Sequence, residues 1–157
     1  MSSRALRART DVLGQHVYRT AALPPATGAS QDLFSTTGQV LITGFYGLVT
    51  VAIPNEVLSF DLALDPDDGS SDVPLATAVS VQAKSANTWF ALNTTIGGAL
   101  TTRYQVIGNA ALVTPQALAT GDIKLNTTGG GAIGATARVA WGCLWLPLSD
   151  DGIVEAA

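Results

Sequence analysis

The feature that most restricts this chain is a period of two in its apolar residues, repeated from one short run to the next. Val57-Leu58-Ser59-Phe60-Asp61-Leu62-Ala63-Leu64 alternates as a strand with one buried face must. Val40 to Thr43, Leu48 to Ile53, Ala78 to Ala83, Thr88 to Leu92, Tyr104 to Ile107 and Ile123 to Asn126 read as further strands, rich in β-branched side chains. Turn formers divide them. Gly44 to Gly47 predicts a bend or bulge between two strands, and Pro54-Asn55 closes the second. Asp65 to Asp72 predicts an exposed loop, Lys84 to Asn87 a hairpin, and Gly129 to Gly134 a glycine-rich hairpin connection. Ile96 to Leu100 fits a loop or one helical turn, and Leu112 to Ala119 is the one candidate short helix. No 3.6-residue stripe lasts three turns and no βαβ alternation appears. The expected class is all-β: an antiparallel β-sandwich, jelly-roll-like, with an extended N-terminal arm over residues 1–20 and one domain over 21–157.

Size and composition agree with that class. A chain of 157 residues removes roughly two-thirds of its unfolded surface from water, enough for a core without disulfides or a metal. Charged residues make up 13% and hydrophobic ones 47%, the reverse of a disordered composition. The longest apolar stretch, Val139 to Leu148, is interrupted by Gly142 and Pro147 and falls well short of the ~20 residues of a spanning helix. No secretory signal is expected in the first twenty residues, which lack a continuous apolar segment. A membrane partner is therefore not expected.

The last strand carries the strongest association signal. Val139, Trp141, Cys143 and Trp145 point one way, and Ala140, Gly142, Leu144 and Leu146 the other. Neither side is polar, so the strand is expected between two layers or against a neighbouring subunit. Trp141, Leu144, Trp145 and Leu146 are the candidate oligomer-interface residues.

Charge is distributed unevenly. Arg4, Arg7, Arg9 and Arg19 face Asp11 alone in the first nineteen residues, a balance of +3. Lys84, Arg103, Lys124 and Arg138 face eleven acids in the remainder, a balance of −7. A basic leader on an acidic body predicts an arm that docks on an acidic surface. Protein is the expected surface and nucleic acid is not, because the body has no basic stripe to follow phosphates and few aromatics to stack bases. Arg4, Arg7, Arg9 and His16 are the candidate partner-binding residues.

Chemistry-bearing patterns are few. Cys143 is the only cysteine and sits in an apolar run, so it reads as a small buried hydrophobe. His16 is the only histidine and has no nucleophile motif beside it. Gly129 to Gly134 matches G-x-G-x-x-G literally, yet strand-like residues follow it where a pyrophosphate site needs a helix. The loop carrying Asp65, Asp67, Asp68 and Asp72 resembles a calcium loop, but Gly69 falls one place early and the terminal Glu is missing. Asn93 and Asn126 open glycosylation triplets that have no meaning without export. No catalytic residue, cofactor or metal site is expected, so the chain is not expected to be an enzyme. A glycan-binding sandwich would need exposed aromatics on one face, for which Trp89 and Tyr104 are the candidate pair.

The leader Arg9 to Pro24 (RTDVLGQHVYRTAALP) and the ending, Gly121 to Leu125, Arg138 to Trp141 and Leu144 to Gly152, are similar to small virion structural proteins of tailed bacteriophages, particularly those infecting actinobacteria. The resemblance covers most of the chain in outline, and its motifs are structural. It implies an all-β module that decorates the capsid shell or belongs to the tail, with no catalytic residues to carry over. The partner it implies is the major capsid protein, and the location is the virion's capsid surface after synthesis in the host cytoplasm. A homotrimer is the expected assembly, ahead of a dimer, since trimers match the local threefold positions of a capsid lattice.

Overall fold

A computed structural model of the chain describes residues 14–24, 28–56, 58–92, 101–104 (backbone only), 116–129 and 136–157. These residues form eleven β-strands and no helix: β1 (Gln15–Ala22), β2 (Ser30–Thr37), β3 (Val40–Val51), β4 (Leu58–Pro66), β5 (Val73–Ser80), β6 (Thr88–Ala91), β7 (Thr101–Tyr104), β8 (Gln116–Leu118), β9 (Gly121–Gly129), β10 (Arg138–Pro147) and β11 (Ile153–Ala156). One sheet runs β1-β10-β3-β6-β7, with β8 also on β3, and the other runs β11-β2-β9-β4-β5. Every pairing is antiparallel. The two sheets pack face to face as the β-sandwich that the alternation predicts.

The inner faces supply one core. Phe34, Phe60, Phe90, Trp141, Ile123 and Leu125 are fully buried, each burial stabilising by about 1.5–3 kcal/mol. Phe60 meets Phe90 edge-on at 4.9 Å and Trp141 at 5.7 Å, while Phe34 meets Phe45 at 5.7 Å. These pairs join rings from both sheets, which locks the layers in register. At one margin Arg19 of β1 donates to the carbonyls of Asp32 and Leu33 on β2. At the other end the buried Thr36 hydroxyl contacts the carbonyls of Ala119 and Gly121 at 2.8 Å each. Thr36 thus reaches the turn where the chain leaves one sheet for the other.

Several expectations need correction. Gly44 to Gly47 does not divide two strands, because β3 runs unbroken from Val40 to Val51. A register shift against Leu144/Trp145 switches its inward positions from Val40 and Ile42 to Phe45, Gly47 and Val49. A bulge absorbs the extra residue, and the alternation changes phase without breaking. Lys84 to Asn87 is not a hairpin: β5 pairs with β4 in one sheet and β6 with β3 in the other. Gly129 to Gly134 is likewise a crossover, from β9 to β10, with 130–135 outside the described residues. The Ala78-to-Ala83 strand lies earlier, at Val73–Ser80. The candidate helix fails over Gln116–Leu118, which is strand β8, and residues 112–115 lie outside the described residues, as do 96–100 and 105–107. The arm ends sooner than residue 20. Gln15 to Ala22 pairs residue for residue with β10, so Val17, Arg19 and Ala21 belong to the domain.

Candidate functional site

The outer face of the six-stranded sheet differs from every other surface of the described residues. Register places His16, Leu144 and Gly44 in one row, Tyr18, Gly142 and Tyr46 in the next, and Thr20, Ala140, Leu48 and Trp89 in a third. No carboxylate stands on this face among the described residues; Arg138 lies at one end, and the register sets Arg103 of β7 opposite Trp89. Tyr18 is 55% exposed, and Leu144, Leu146, Tyr46 and Trp89 are half-buried.

Its centre is an aromatic diagonal whose rings come from β1, β3 and β6. The His16 and Tyr46 rings lie nearly parallel at 16°, 5.9 Å between centroids, with His16 Nε2 2.8 Å from the Tyr46 hydroxyl. Tyr46 meets Trp89 at 5.6 Å. Tyr46 can lie flat because Gly142 is beneath it: a Cβ there would stand 2.5 Å from the hydroxyl oxygen. Partial burial, and then the neighbouring Tyr18 phenol, holds the Tyr46 hydroxyl above its ordinary value of 10.0. Beside Tyr46, the Thr20 hydroxyl donates to the Tyr18 oxygen at 3.0 Å. The result is a flat patch of rings with phenol and imidazole groups at their edges and, among the described residues, no carboxylate.

The opposite outer face, on the five-stranded sheet, is acidic. Asp32, Asp61, Asp65, Asp122 and Glu155 stand there with Lys124. Most of these groups are engaged: Lys124 pairs with Asp65, Ser35 with Asp122 at 2.7 Å, and Asn126 with Asp61 at 2.8 Å. A groove of about 410 Å³ on this side is lined by Asp61, Ala63, Asp72, Pro74, Ala76 and Asn126. In the neighbouring turn, hydrogen bonds from Ser70 hold the Asp68 carboxyl below its usual range. Among the described residues no three His, Cys, Asp or Glu converge as metal ligands, and no helix is long and apolar enough to cross a membrane.

The structure divides the expected interface residues. Trp141 and Trp145 are 1% and 3% exposed, in the core between the sheets, so they cannot meet a partner without unfolding the domain. Leu144 and Leu146 are on the outer face and remain available. His16 also lies there, joined to Tyr46, whereas Arg4, Arg7 and Arg9 are outside the described residues. Cys143 is fully buried, and that burial pushes its thiol up to about 12. Trp89 meets Tyr46, and the side chain of Tyr104, the other residue of the expected pair, lies outside the described residues. Tyr18 and Tyr46 are the residues the sequence reading missed. The signal for Tyr46 lay in two aromatic–glycine dipeptides, Tyr46-Gly47 and Trp141-Gly142, which the register sets against each other.

No family model and no curated protein matches this chain. Among solved structures it is similar to a chain in "Structure of infectious bursal disease virus Gx strain", with 12% identity and a TM-score of 0.35. The match covers 90% of this chain and 39% of that one, so the chain spans about two-fifths of the viral protein's length.

Proposed function

We propose that this chain is a non-catalytic virion structural protein, a decoration module that binds the outside of a phage capsid shell. The observation that carries the reading is the outer face of the six-stranded sheet, which combines Tyr18, Tyr46, Trp89, Leu144 and Leu146 with no carboxylate among the described residues. Monomeric proteins rarely leave a contiguous apolar patch of this kind open to water. The sequence resemblance to small virion proteins supplies the partner, the major capsid protein. Arg4, Arg7 and Arg9 add a salt-sensitive contact to an acidic surface of that shell.

The test is to label virions made from the genome that encodes this chain, using an antibody against it. Label over the shell is the expected result. Label on the tail selects a tail-associated module, and its absence from particles overturns the virion assignment. Shells lacking the protein should rebind the wild-type chain and lose Tyr18→Asp, while deletion of residues 1–9 should weaken binding most at low salt.

A second reading is favoured by the His16–Tyr46–Trp89 diagonal alone. Flat aromatic rows with hydroxyls at their edges suit the apolar faces of sugar rings, so a carbohydrate of the host surface is the alternative ligand. Trp89 is the half-exposed tryptophan, with Trp141 and Trp145 buried, so its fluorescence would report sugar binding directly.

A further inference from the structure

Of the sheet edges among the described residues, β1 is the one guarded by neither shortness, proline nor a register shift; its charge, Arg19, is turned inward to the carbonyls of Asp32 and Leu33. On the five-stranded sheet, β11 is four residues long and carries Glu155, and β5 carries Pro74 with two register shifts against β4. On the six-stranded sheet, β7 and β8 span four and three residues. Shortness, charge, proline and bulges are the usual protections of an open edge. By contrast β1 is eight residues long, has no proline, and keeps perfect register with β10 from Gln15 to Ala22.

The direction of its free groups follows from the ladder. Leu23 N donates to Ala137 O at 3.2 Å, which continues the β1–β10 pairing by one residue. Hydrogen-bonded pairs alternate in an antiparallel ladder, so Gln15, Val17, Arg19 and Ala21 bond to β10. The amides and carbonyls of His16, Tyr18, Thr20 and Ala22 then point away from the sheet, and no other described strand pairs with them. Their side chains lie on the outer face, so the open ladder and the exposed Tyr18 occur at the same residues.

We infer that β1 pairs antiparallel with β1 of a second copy, about a two-fold axis at Tyr18, joining two six-stranded sheets into one. Two exclusions narrow the register. Centring on Arg19 would place two guanidinium stems opposite each other, a like-charge pair that destabilises a sheet. Centring on Val17 would require Gly14 to extend the strand, but Gly14 has φ +77°. Centring on Tyr18 sets His16 opposite the partner's Thr20 and Arg19 opposite the partner's Val17. It supplies about six main-chain hydrogen bonds. This contact is isologous and closes on itself, whereas the threefold expectation came from lattice positions and not from a surface of this chain. It does not depend on the virion reading, since it requires only the chain itself.

The experiment is sedimentation equilibrium of the full chain from low to high micromolar concentration, with residue-resolved amide exchange on the same samples. A dimer is expected, with amides of His16, Tyr18 and Thr20 becoming protected as concentration rises. Val17, Arg19 and Ala21 should be protected throughout, which serves as an internal control. Thr20→Pro removes an outward amide without touching the ladder to β10 and should give a monomer that keeps its far-ultraviolet spectrum. A monomer or trimer at every concentration overturns the inference, as does a dimer whose His16 and Tyr18 amides still exchange freely. A folded Thr20→Pro protein that remains a dimer also overturns it. If that variant fails to fold, wild-type exchange decides alone. Shell binding is scored separately, so a failed dimer and a failed virion assignment give different results.

Discussion

Two neighbouring cross-strand pairs use the same device on opposite sides of one sheet. Trp141 of β10 lies over Gly47 of β3 on the inner side, and Tyr46 of β3 lies over Gly142 of β10 on the outer side. In both, a ring covers a glycine that leaves it room. Inside, Phe45, Phe60 and Phe90 surround the ring and it becomes the centre of the core. Outside, the ring has His16 and Trp89 beside it and water above. The same local chemistry therefore yields stability on one face and a recognition surface on the other. What separates them is whether a second sheet packs on top.

The sharpest break between the two is removal of the inner ring. Trp141→Ala should lower stability by about 3–5 kcal/mol in urea unfolding, because the cavity lies at the meeting point of three phenylalanines. A variant that kept its unfolding midpoint and changed only its sedimentation mass would return Trp141 to an interface. Next comes the thiol one position beyond Gly142. Cys143 titrates near 12 in the fold because of burial, against 9.0 when unfolded. Above pH 9 the unfolded thiol loses its proton and the folded one keeps it, so stability should fall as pH rises from about 9 to about 12. The slope approaches about 1.4 kcal/mol per pH unit. Cys143→Ala should lack this component when the two alkaline unfolding curves are compared, and a matching decline in both would show that other groups cause it.

The two glycines give a third test, and it runs against the raw distances. A Cβ at Gly47 would stand 2.6 Å from Trp141 Cζ3 and 3.0 Å from Val139 Cγ1, both held in the core. A Cβ at Gly142 comes closer still to its ring, yet Tyr46 can swing outward into solvent. Gly47→Ala should therefore cost about 1–3 kcal/mol, and Gly142→Ala less, despite the shorter contact. Gly142→Ala should instead lose shell or sugar binding while the domain stays folded. Equal destabilisation would mean that the outer ring is as confined as the inner one.

How far this was readable from sequence depends on what each residue answers to. Alternation answers to local burial, so Leu58 to Leu64 and Ile123 to Asn126 were legible as strands, and so was the sandwich class. Crossovers answer to which sheet a strand joins, and no local pattern at Lys84 to Asn87 or Gly129 to Gly134 encodes that. A bulge hid the continuity of β3 by changing the phase of its alternation. At Val139 to Leu148 the sequence showed two apolar faces but not which would be covered. Trp141 and Trp145 were placed in an interface because large aromatics suit both settings. Tyr46 was overlooked because its role depends on Gly142, nearly a hundred residues away.

The smallest expected effect belongs to the Tyr46 hydroxyl, and it isolates the outer pair without disturbing its packing. Tyr46→Phe keeps the ring over Gly142 and beside Trp89 but removes the oxygen 2.8 Å from His16 Nε2. That bond lies at an exposed site where water replaces a lost partner, so stability should change by no more than about 0.5–1 kcal/mol. Recognition should separate from stability at this point. A partner that docks by apolar contact should bind the variant nearly as well as wild type, since the ring area is unchanged. A carbohydrate that uses the phenol as an edge hydrogen bond should lose severalfold in affinity. The tyrosine absorbance titration supplies the control: burial holds Tyr46 above its ordinary value, so the variant should lose the alkaline end of the wild-type curve. Loss of the ordinary portion instead would show the hydroxyl to be solvated, and the outer face would then be a wetter surface than its rings suggest.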